Sequence, residues 1–422
     1  MAAERTVIPL EKSCSNEVLD SLCNRQVYIE TYGCRYNFGD TAKLTEILQY
    51  NGNTLVNAEE DADVVIINTC TVVGPTERRM LRRLSQFRDR NLYVTGCMPA
   101  VQREAILAVC NPIIINPDTI QDKYRGIRTV SNEGIGIVQV AQGCSGVCTY
   151  CITRFARGPL RSFPLSEICG QVRAFAEQGT PEIQLTAQDV SAWGMDTGHT
   201  LADLLTELDS IPGPHKLRVG MMNPATVMRD LDSLIKAFAG DHIFRFIHLP
   251  AQSGSDRVLN KMGRRYSVQN FEDIISAFRL AFPDITLMTD MIVGFCGETE
   301  ENFTQSLELV KRLRPNKVNV TRYSARPFTP VASEKDFPDF VKKDRSRAMN
   351  SLAEQVYSGI NQPRLNHRIP VIVTEKIRDG SVMARSAAYL GVVINEDLPI
   401  GHECLVVLKR DRKYFFVGEL VK

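Results

Sequence analysis

Cys144, Cys148 and Cys151 are spaced C-x3-C-x2-C in the run Gln142-Gly143-Cys144-Ser145-Gly146-Val147-Cys148-Thr149-Tyr150-Cys151, directly after an apolar segment that reads as a strand. Three thiolates on one short loop can hold three irons of a 4Fe-4S cube and leave the fourth iron open to bind and polarise another molecule. A structural zinc site closes with four ligands, usually in paired knuckles, and no fourth Cys or His lies near this loop in the chain. Three further cysteines each follow an apolar segment: Cys34 in Tyr32-Gly33-Cys34-Arg35, Cys70 in Asn68-Thr69-Cys70-Thr71 and Cys97 in Gly96-Cys97-Met98-Pro99. A parallel sheet presents side chains at the carboxyl ends of its strands, so residues remote in sequence can converge there on one centre. Taken singly, each of the three is equally a small buried core thiol.

The elements that must position these thiols are α/β. From Gln26 the pattern alternates strand and helix, with strands at Val27–Thr31, Val64–Asn68 and Leu92–Thr95 and helices beginning at Asp40, Pro75 and Pro99, as in a parallel sheet covered by helices. Six more strands, near 137–141, 182–186, 216–221, 244–249, 286–293 and 317–323, alternate with helices and predict a partial (β/α)6 barrel. A Pro-rich stretch over 326–338 and a polar helix over 342–360 lead to short alternating strands that predict a small antiparallel β-barrel. The expected domains are therefore 26–130, 131–360 and 361–422. Residues 1–25 show no sustained period and read as an extension.

Composition narrows the function classes. At about 150 residues per domain, 422 residues predict two to four globular units. The 44% hydrophobic and 23% charged content argues against global disorder and against an integral membrane protein. Glu4, Arg5 and Pro9 leave no room for the apolar core of a secretion signal in the first ten residues, so a cytoplasmic, monomeric protein with no membrane partner is expected. There a reducing environment makes metal ligation or catalysis the main reason to cluster thiols. The 50 basic and 49 acidic residues give a net charge of +1, so any nucleic-acid partner must be met by local patches.

With Tyr150 just before its last cysteine, the loop resembles that of the radical S-adenosylmethionine superfamily. That resemblance implies that the methionine amine and carboxylate chelate the open iron and that an electron from the cluster cleaves the sulfonium to a 5′-deoxyadenosyl radical. The two cysteine triplets, together with the three-part layout, resemble the methylthiotransferase family over residues 26–422. The resemblance implies a second 4Fe-4S cluster, held by Cys34, Cys70 and Cys97, that carries the sulfur to be delivered. It implies a C-terminal barrel of TRAM type, one S-adenosylmethionine to methylate the sulfur and another to take hydrogen from the substrate carbon, and a separate electron donor and sulfur source. It also implies cofactor contacts from Tyr150, from Gln188 and Asp189, from Arg218 and Asn223, and from Gln252 and Ser253 in His248-Leu249-Pro250-Ala251-Gln252-Ser253-Gly254. The chain departs from the family's usual Arg-Pro-Gly-Thr-Pro at Arg326-Pro327-Phe328-Thr329-Pro330, where Phe328 alters a loop beside the substrate, and carries Ala100 where a polar residue is common.

The substrate is argued separately. The segment Thr153-Arg154-Phe155-Ala156-Arg157-Gly158 resembles the archaeal and eukaryotic branch, which acts on N6-threonylcarbamoyladenosine beside the tRNA anticodon. Arg154, Arg157 and Arg161 are candidate contacts to phosphate or to the threonylcarbamoyl carboxylate, which a guanidinium can grip bidentately. Arg78, Arg79, Arg82 and Arg83 recur along one predicted helix, where they form either a phosphate-tracking patch or a solvated surface. The C-terminal strands have ten basic against seven acidic residues, with Arg385 and Tyr389 as candidate RNA contacts. Another tRNA adenosine, a ribosomal-protein aspartate, and a noncatalytic RNA-binding role with purely structural metal are the rival readings.

Overall fold

The computed structural model describes residues 15–72, 74–124 and 134–421. Residues 1–14 of the expected extension, and the expected boundary at 130/131, lie outside the described residues. The chain forms two compact units, one of residues up to 129 joined by Phe155–Arg157, the other of all the rest.

In the first unit β1 (Gln26–Thr31), β2 (Thr54–Leu55), β3 (Val64–Thr69), β4 (Leu92–Gly96) and β5 (Ile113–Ile114) form one parallel sheet, in the order β2-β1-β3-β4-β5. Every residue of β3 is buried. Val64 and Ile66 enter a core with Leu44, Ile47 and Leu48, while Val65 and Ile67 enter the opposite one with Met80, Leu84 and Val94. A central strand covered by helices on both faces must be apolar at successive positions, and this one is. One expectation is corrected: Leu19 and Leu22, within the supposed extension, are buried in the first of these cores beside a short helix over Ser15–Asp20. A six-residue helix is too short to display a period, which is why the pattern hid it.

In the second unit β6 (Ile135–Gln139) is followed by β7 (Ala141–Gln142), which pairs antiparallel with β8 (Arg161–Ser162). β9 (Glu182–Thr186) and β10 (Lys216–Val219) extend β6 in parallel, and β11 (Phe246–His248), β12 (Thr286–Val293) and β13 (Lys317–Arg322) form a second parallel trio. Parallel bridges from Leu217 to Ile243 and from Met221 to His248 link the trios. The result is the expected six-stranded partial barrel. β14 (Arg368–Arg378), β15 (Ser381–Arg385), β16 (Gly391–Ile394), β17 (Glu403–Asp411) and β18 (Phe416–Leu420) close a small barrel in the order β14-β15-β16-β18-β17. Its pairings are antiparallel except that of β16 with β18, which is parallel.

The small barrel inserts Tyr389 at the amino end of the larger one. The Tyr389 hydroxyl donates to the Glu182 carboxylate at the head of β9, and its ring lies 4.9 Å from those of both Phe244 and Phe246. No helix among the described residues is long and apolar enough to cross a membrane.

His215, just before β10, is fully buried, stacks 4.6 Å from His242, and has no hydrogen-bond partner on either ring nitrogen. Burial and the neighbouring His242, with Lys216 adding to them against Asp209, hold its pKa down at about 4. Unfolded, it titrates near about 6.5. Between these values the unfolded chain binds the proton and the folded one does not, so stability falls as pH drops through that window, by about 2 kcal/mol from pH 7.5 to pH 5. Urea unfolding followed by the fluorescence of Trp193, the single tryptophan, is expected to show this loss in wild type and less of it in His215→Phe.

Candidate active site

Cys70 follows β3 directly, Cys97 follows β4 directly, and Cys34 lies three residues past the end of β1. Because β1, β3 and β4 are parallel neighbours, all three cysteines stand at the carboxyl edge of one sheet. Cys70 and Cys97 are buried and Cys34 is exposed. The three are near enough to influence each other's ionisation: burial pushes the Cys97 thiol up to about 11, with Cys34 and Cys70 adding to the rise and Arg157 opposing it.

Arg157 corrects one expectation. Far from offering its guanidinium to RNA, it is buried in the first unit, over the Tyr36 ring at 4.8 Å. Its Nη2 donates to Asp40 Oδ2 (2.7 Å) and Asn37 Oδ1 (2.8 Å), and its Nε donates to Cys97 Sγ (3.3 Å). The fourth member of this group, Asn37, donates through Nδ2 to the carbonyls of Tyr32 and Thr69, tying the strand ends together.

In the second unit the loop carrying Cys144, Cys148 and Cys151 begins right after β7. Gln188 fixes its start by accepting from the Gly143 amide at 2.7 Å, and the Gly146 amide donates to Cys144 Sγ at 3.2 Å. Thr149 donates to the Lys261 carbonyl and accepts through its own carbonyl from Val331, so the middle of the loop is anchored on both sides. Arg264 is the central tie: it donates to Cys148 Sγ (3.3 Å), to Asn223 Oδ1 (3.2 Å) and to the Tyr266 hydroxyl (3.0 Å). Asp189 is buried, and burial raises its pKa even though it accepts from Ser191 (2.7 Å) and Thr226 (3.0 Å). A cavity of about 180 Å³ opens here, lined by Ser145, Cys148, Asn223, Thr226, Arg229 and Arg264 among others.

The remaining expected residues separate into groups. Tyr150 is half-buried with its ring edge-on to Phe295 at 5.9 Å. Gln252 adopts φ 67° and its main chain bridges to β12, accepting from the Ile292 amide and donating to the Asp290 carbonyl. Ser253 is buried in its own loop, accepting from the Ser255 amide and facing Ser306. Arg218 lies over Phe246 and Tyr389. Arg385 lies over Tyr389 between Glu182 and Glu375, which turns the expected RNA contact into one between the two barrels of this unit. Arg161 is exposed and lies over Phe163, and Arg154 is half-buried. On the helix Gly74–Gln86, Arg83 pairs with Glu30 and Glu59, whereas Arg78, Arg79 and Arg82 are exposed.

The thiols fit iron-sulfur ligation. Among the described residues no three His, Cys, Asp or Glu side chains close around a single-ion site, and a cube places each thiolate on a different iron, so its ligands are spread more widely. Amide or guanidinium donors already meet Cys97, Cys144 and Cys148, and such donors to sulfur are what a negatively charged cluster requires of its surroundings. Burial raises Cys144 to about 12, as it raises Cys97, so deprotonation there needs a bound cation to offset it. Sequence reasoning missed Arg264, Tyr266, Asn37 and Asp40. Asn37 and Asp40 share the helix Arg35–Tyr50 that follows Cys34, and Arg264 and Tyr266 share the loop before the helix Val268–Ala281, but no pattern in the chain shows that these side chains turn toward Cys97 or Cys148.

The family model described as "Radical SAM superfamily" matches residues 138–310, and that described as "Uncharacterized protein family UPF0004" matches residues 26–115. The chain is 39% identical to a "Probable threonylcarbamoyladenosine tRNA methylthiotransferase" of Pyrococcus horikoshii, across 88% of this chain and 94% of that one. It is 30% identical to the "Threonylcarbamoyladenosine tRNA methylthiotransferase" of Danio rerio, across 90% and 76%. Among solved structures, the radical S-adenosylmethionine methyltransferase TsrM from Kitasatospora setae is similar with a TM-score of 0.52 at 17% identity, covering 73% of this chain and 77% of that one, a likeness of fold.

Proposed function

Because the chain belongs to the threonylcarbamoyladenosine tRNA methylthiotransferase family, we propose that it replaces hydrogen by a methylthio group at carbon 2 of N6-threonylcarbamoyladenosine adjacent to the anticodon in tRNA. The observation that carries the reading is the meeting of Cys34, Cys70 and Cys97 at the ends of β1, β3 and β4, in a chain that also bears the Cys144-Cys148-Cys151 loop. When bound, the two 4Fe-4S clusters and S-adenosylmethionine would supply the electron, the hydrogen-abstracting radical, the sulfur and, from one S-adenosylmethionine, the methyl that the sulfur carries.

The protein's own residues do the holding and orienting. Cys144, Cys148 and Cys151 hold the radical cluster. Arg264 joins the Cys148 sulfur to the Asn223 amide in one hydrogen-bonded unit, so the loop and the wall of the 180 Å³ cavity move together. Arg229, Arg264 and Arg265 give that cavity a cationic lining suited to the carboxylate of a methionine moiety. Asp189, tied to Ser191 and Thr226, and Gln188, tied to Gly143, fix the adjoining strand end. Cys34, Cys70 and Cys97 hold the auxiliary cluster.

RNA is gripped by exposed cations. Arg368 and Arg378 at the two ends of β14, Arg410 on the adjacent β17 and Arg412 just beyond it are exposed on the small barrel. Exposed cations of this kind hold structured RNA through its backbone, with Arg154 and Arg161 nearer the reacting base. The enzyme works as a monomer with a separate one-electron donor and sulfur source.

The test runs reconstituted enzyme, S-adenosylmethionine and reductant in parallel against tRNA carrying threonylcarbamoyladenosine and against ribosomal protein. Mass spectrometry of digests is expected to show the methylthio group on the nucleoside alone. Its appearance on a ribosomal-protein aspartate instead, or on neither, would overturn the reading.

A further inference from the structure

Arg157 is nine-tenths buried and more, yet it is not simply one half of an ion pair. Asp40 and Asn37 take Nη2, the Tyr36 face supports the plane of the guanidinium, and Nε is left pointing at the sulfur of Cys97 at 3.3 Å. Nη1 is buried with no hydrogen-bond partner. A buried donor without a partner is destabilising, so a site that keeps one beside a cysteine sulfur is organised around something more than packing.

We propose that Arg157 is a positioning residue for the auxiliary cluster, its guanidinium locked by Asp40 and Asn37 so that it donates to the Cys97 sulfur and sets the cluster's reduction potential. The inference rests on the reading of Cys34, Cys70 and Cys97 as cluster ligands. A donor and a positive charge at a ligand thiolate favour the form of the cluster that carries the additional electron, so they raise its potential. Burial strengthens the effect, because little water screens the charge. Asp40, 2.7 Å from Nη2 of the same guanidinium, works in the opposite direction by neutralising part of that charge. Arg157 and Asp40 therefore form an opposed pair: removing either one moves the potential, and the two shifts have different signs. A purely structural ion pair has no such signature, since breaking it from either side gives the same result.

The experiment uses the full chain with Cys144, Cys148 and Cys151 all replaced by alanine, so that only one cluster can load. After anaerobic reconstitution with iron and sulfide, iron is counted and the cluster is titrated potentiometrically with detection by electron paramagnetic resonance. About four irons are expected in this background. No iron would refute the auxiliary-cluster reading itself and the proposal with it. With iron present, Arg157→Gln is expected to lower the midpoint potential, Arg157→Lys to recover part of the fall by restoring the charge without the fork, and Asp40→Asn to raise it. An unchanged potential in a loaded Arg157→Gln protein would overturn the proposal. Should Arg157→Gln fail to load, Asp40→Asn decides alone: a potential that stays put or falls overturns the assignment.

Discussion

Cys70→Ala is expected to cleave S-adenosylmethionine to 5′-deoxyadenosine at close to the wild-type rate while methylthio transfer to tRNA falls by at least about 10²-fold. Cys148→Ala is expected to lose both. The division follows from where the two sulfurs sit. Cys70 ends β3 in the first unit, and its truncation leaves the Cys144-Cys148-Cys151 loop, Gln188 and the Arg264 tie of the second unit intact. Cys148 is itself the sulfur to which Arg264 donates, so its loss removes a cluster ligand and frees the guanidinium that also holds Asn223. The measurement is paired quantification of 5′-deoxyadenosine and of methylthiolated nucleoside from one reaction. Full product from Cys70→Ala would show that the first triplet delivers no sulfur, and cofactor cleavage by Cys148→Ala would remove the loop from the radical chemistry.

The cysteines were legible in the sequence because both of their signals are local. The loop has a fixed spacing, and each isolated cysteine follows within three residues an apolar run that reads as a strand. Parallel topology then does the rest, since three adjacent parallel strands bring their ends to one edge. The strands of the larger barrel were legible for the same reason, each being apolar enough to mark itself. β2 and β5, of two residues each, carry too little pattern to be seen.

Arginines are where sequence reasoning failed, and the failures share a cause. Arg157 and Arg385 read as RNA contacts because each stands in a basic stretch, near a cysteine loop or on a barrel strand. Position in the chain does not reveal that Phe155–Arg157 belong to the first unit, or that Asp40, 117 residues earlier, supplies the carboxylate. Nor does it reveal that Glu182 and Tyr389, separated by 207 residues, meet beside Arg385. A buried arginine is defined by its partners, and these arrive from separate elements. Arg264 was overlooked for the same reason. Its neighbours Gly263 and Arg265 say nothing of Cys148, which lies 116 residues away.

Two glycines next to cluster cysteines make the division between the clusters testable without touching a ligand. Gly143 precedes Cys144 with φ +78°, and a Cβ there would lie 1.8 Å from the Pro159 carbonyl oxygen. Gly96 precedes Cys97 with φ +93°, and a Cβ there would lie 2.3 Å from the Thr69 carbonyl oxygen and 2.4 Å from Asn68 Oδ1. In both cases the nearest obstacle is backbone, which cannot swing aside like the end of a flexible side chain. Alanine therefore bears the left-handed penalty of about 1–2 kcal/mol and an overpacking penalty of about 1–3 kcal/mol, relieved by shifting the backbone on which the neighbouring cysteine stands. Gly143→Ala is expected to lose the radical cluster and Gly96→Ala the auxiliary one, each dropping the iron content from about eight to about four per chain. Only Gly96→Ala should then still form 5′-deoxyadenosine. Full iron loading in both variants would mean that the cysteines tolerate displacement and that the strand ends do not set the ligand geometry. Loss of all iron from either variant would mean that the two clusters do not assemble independently.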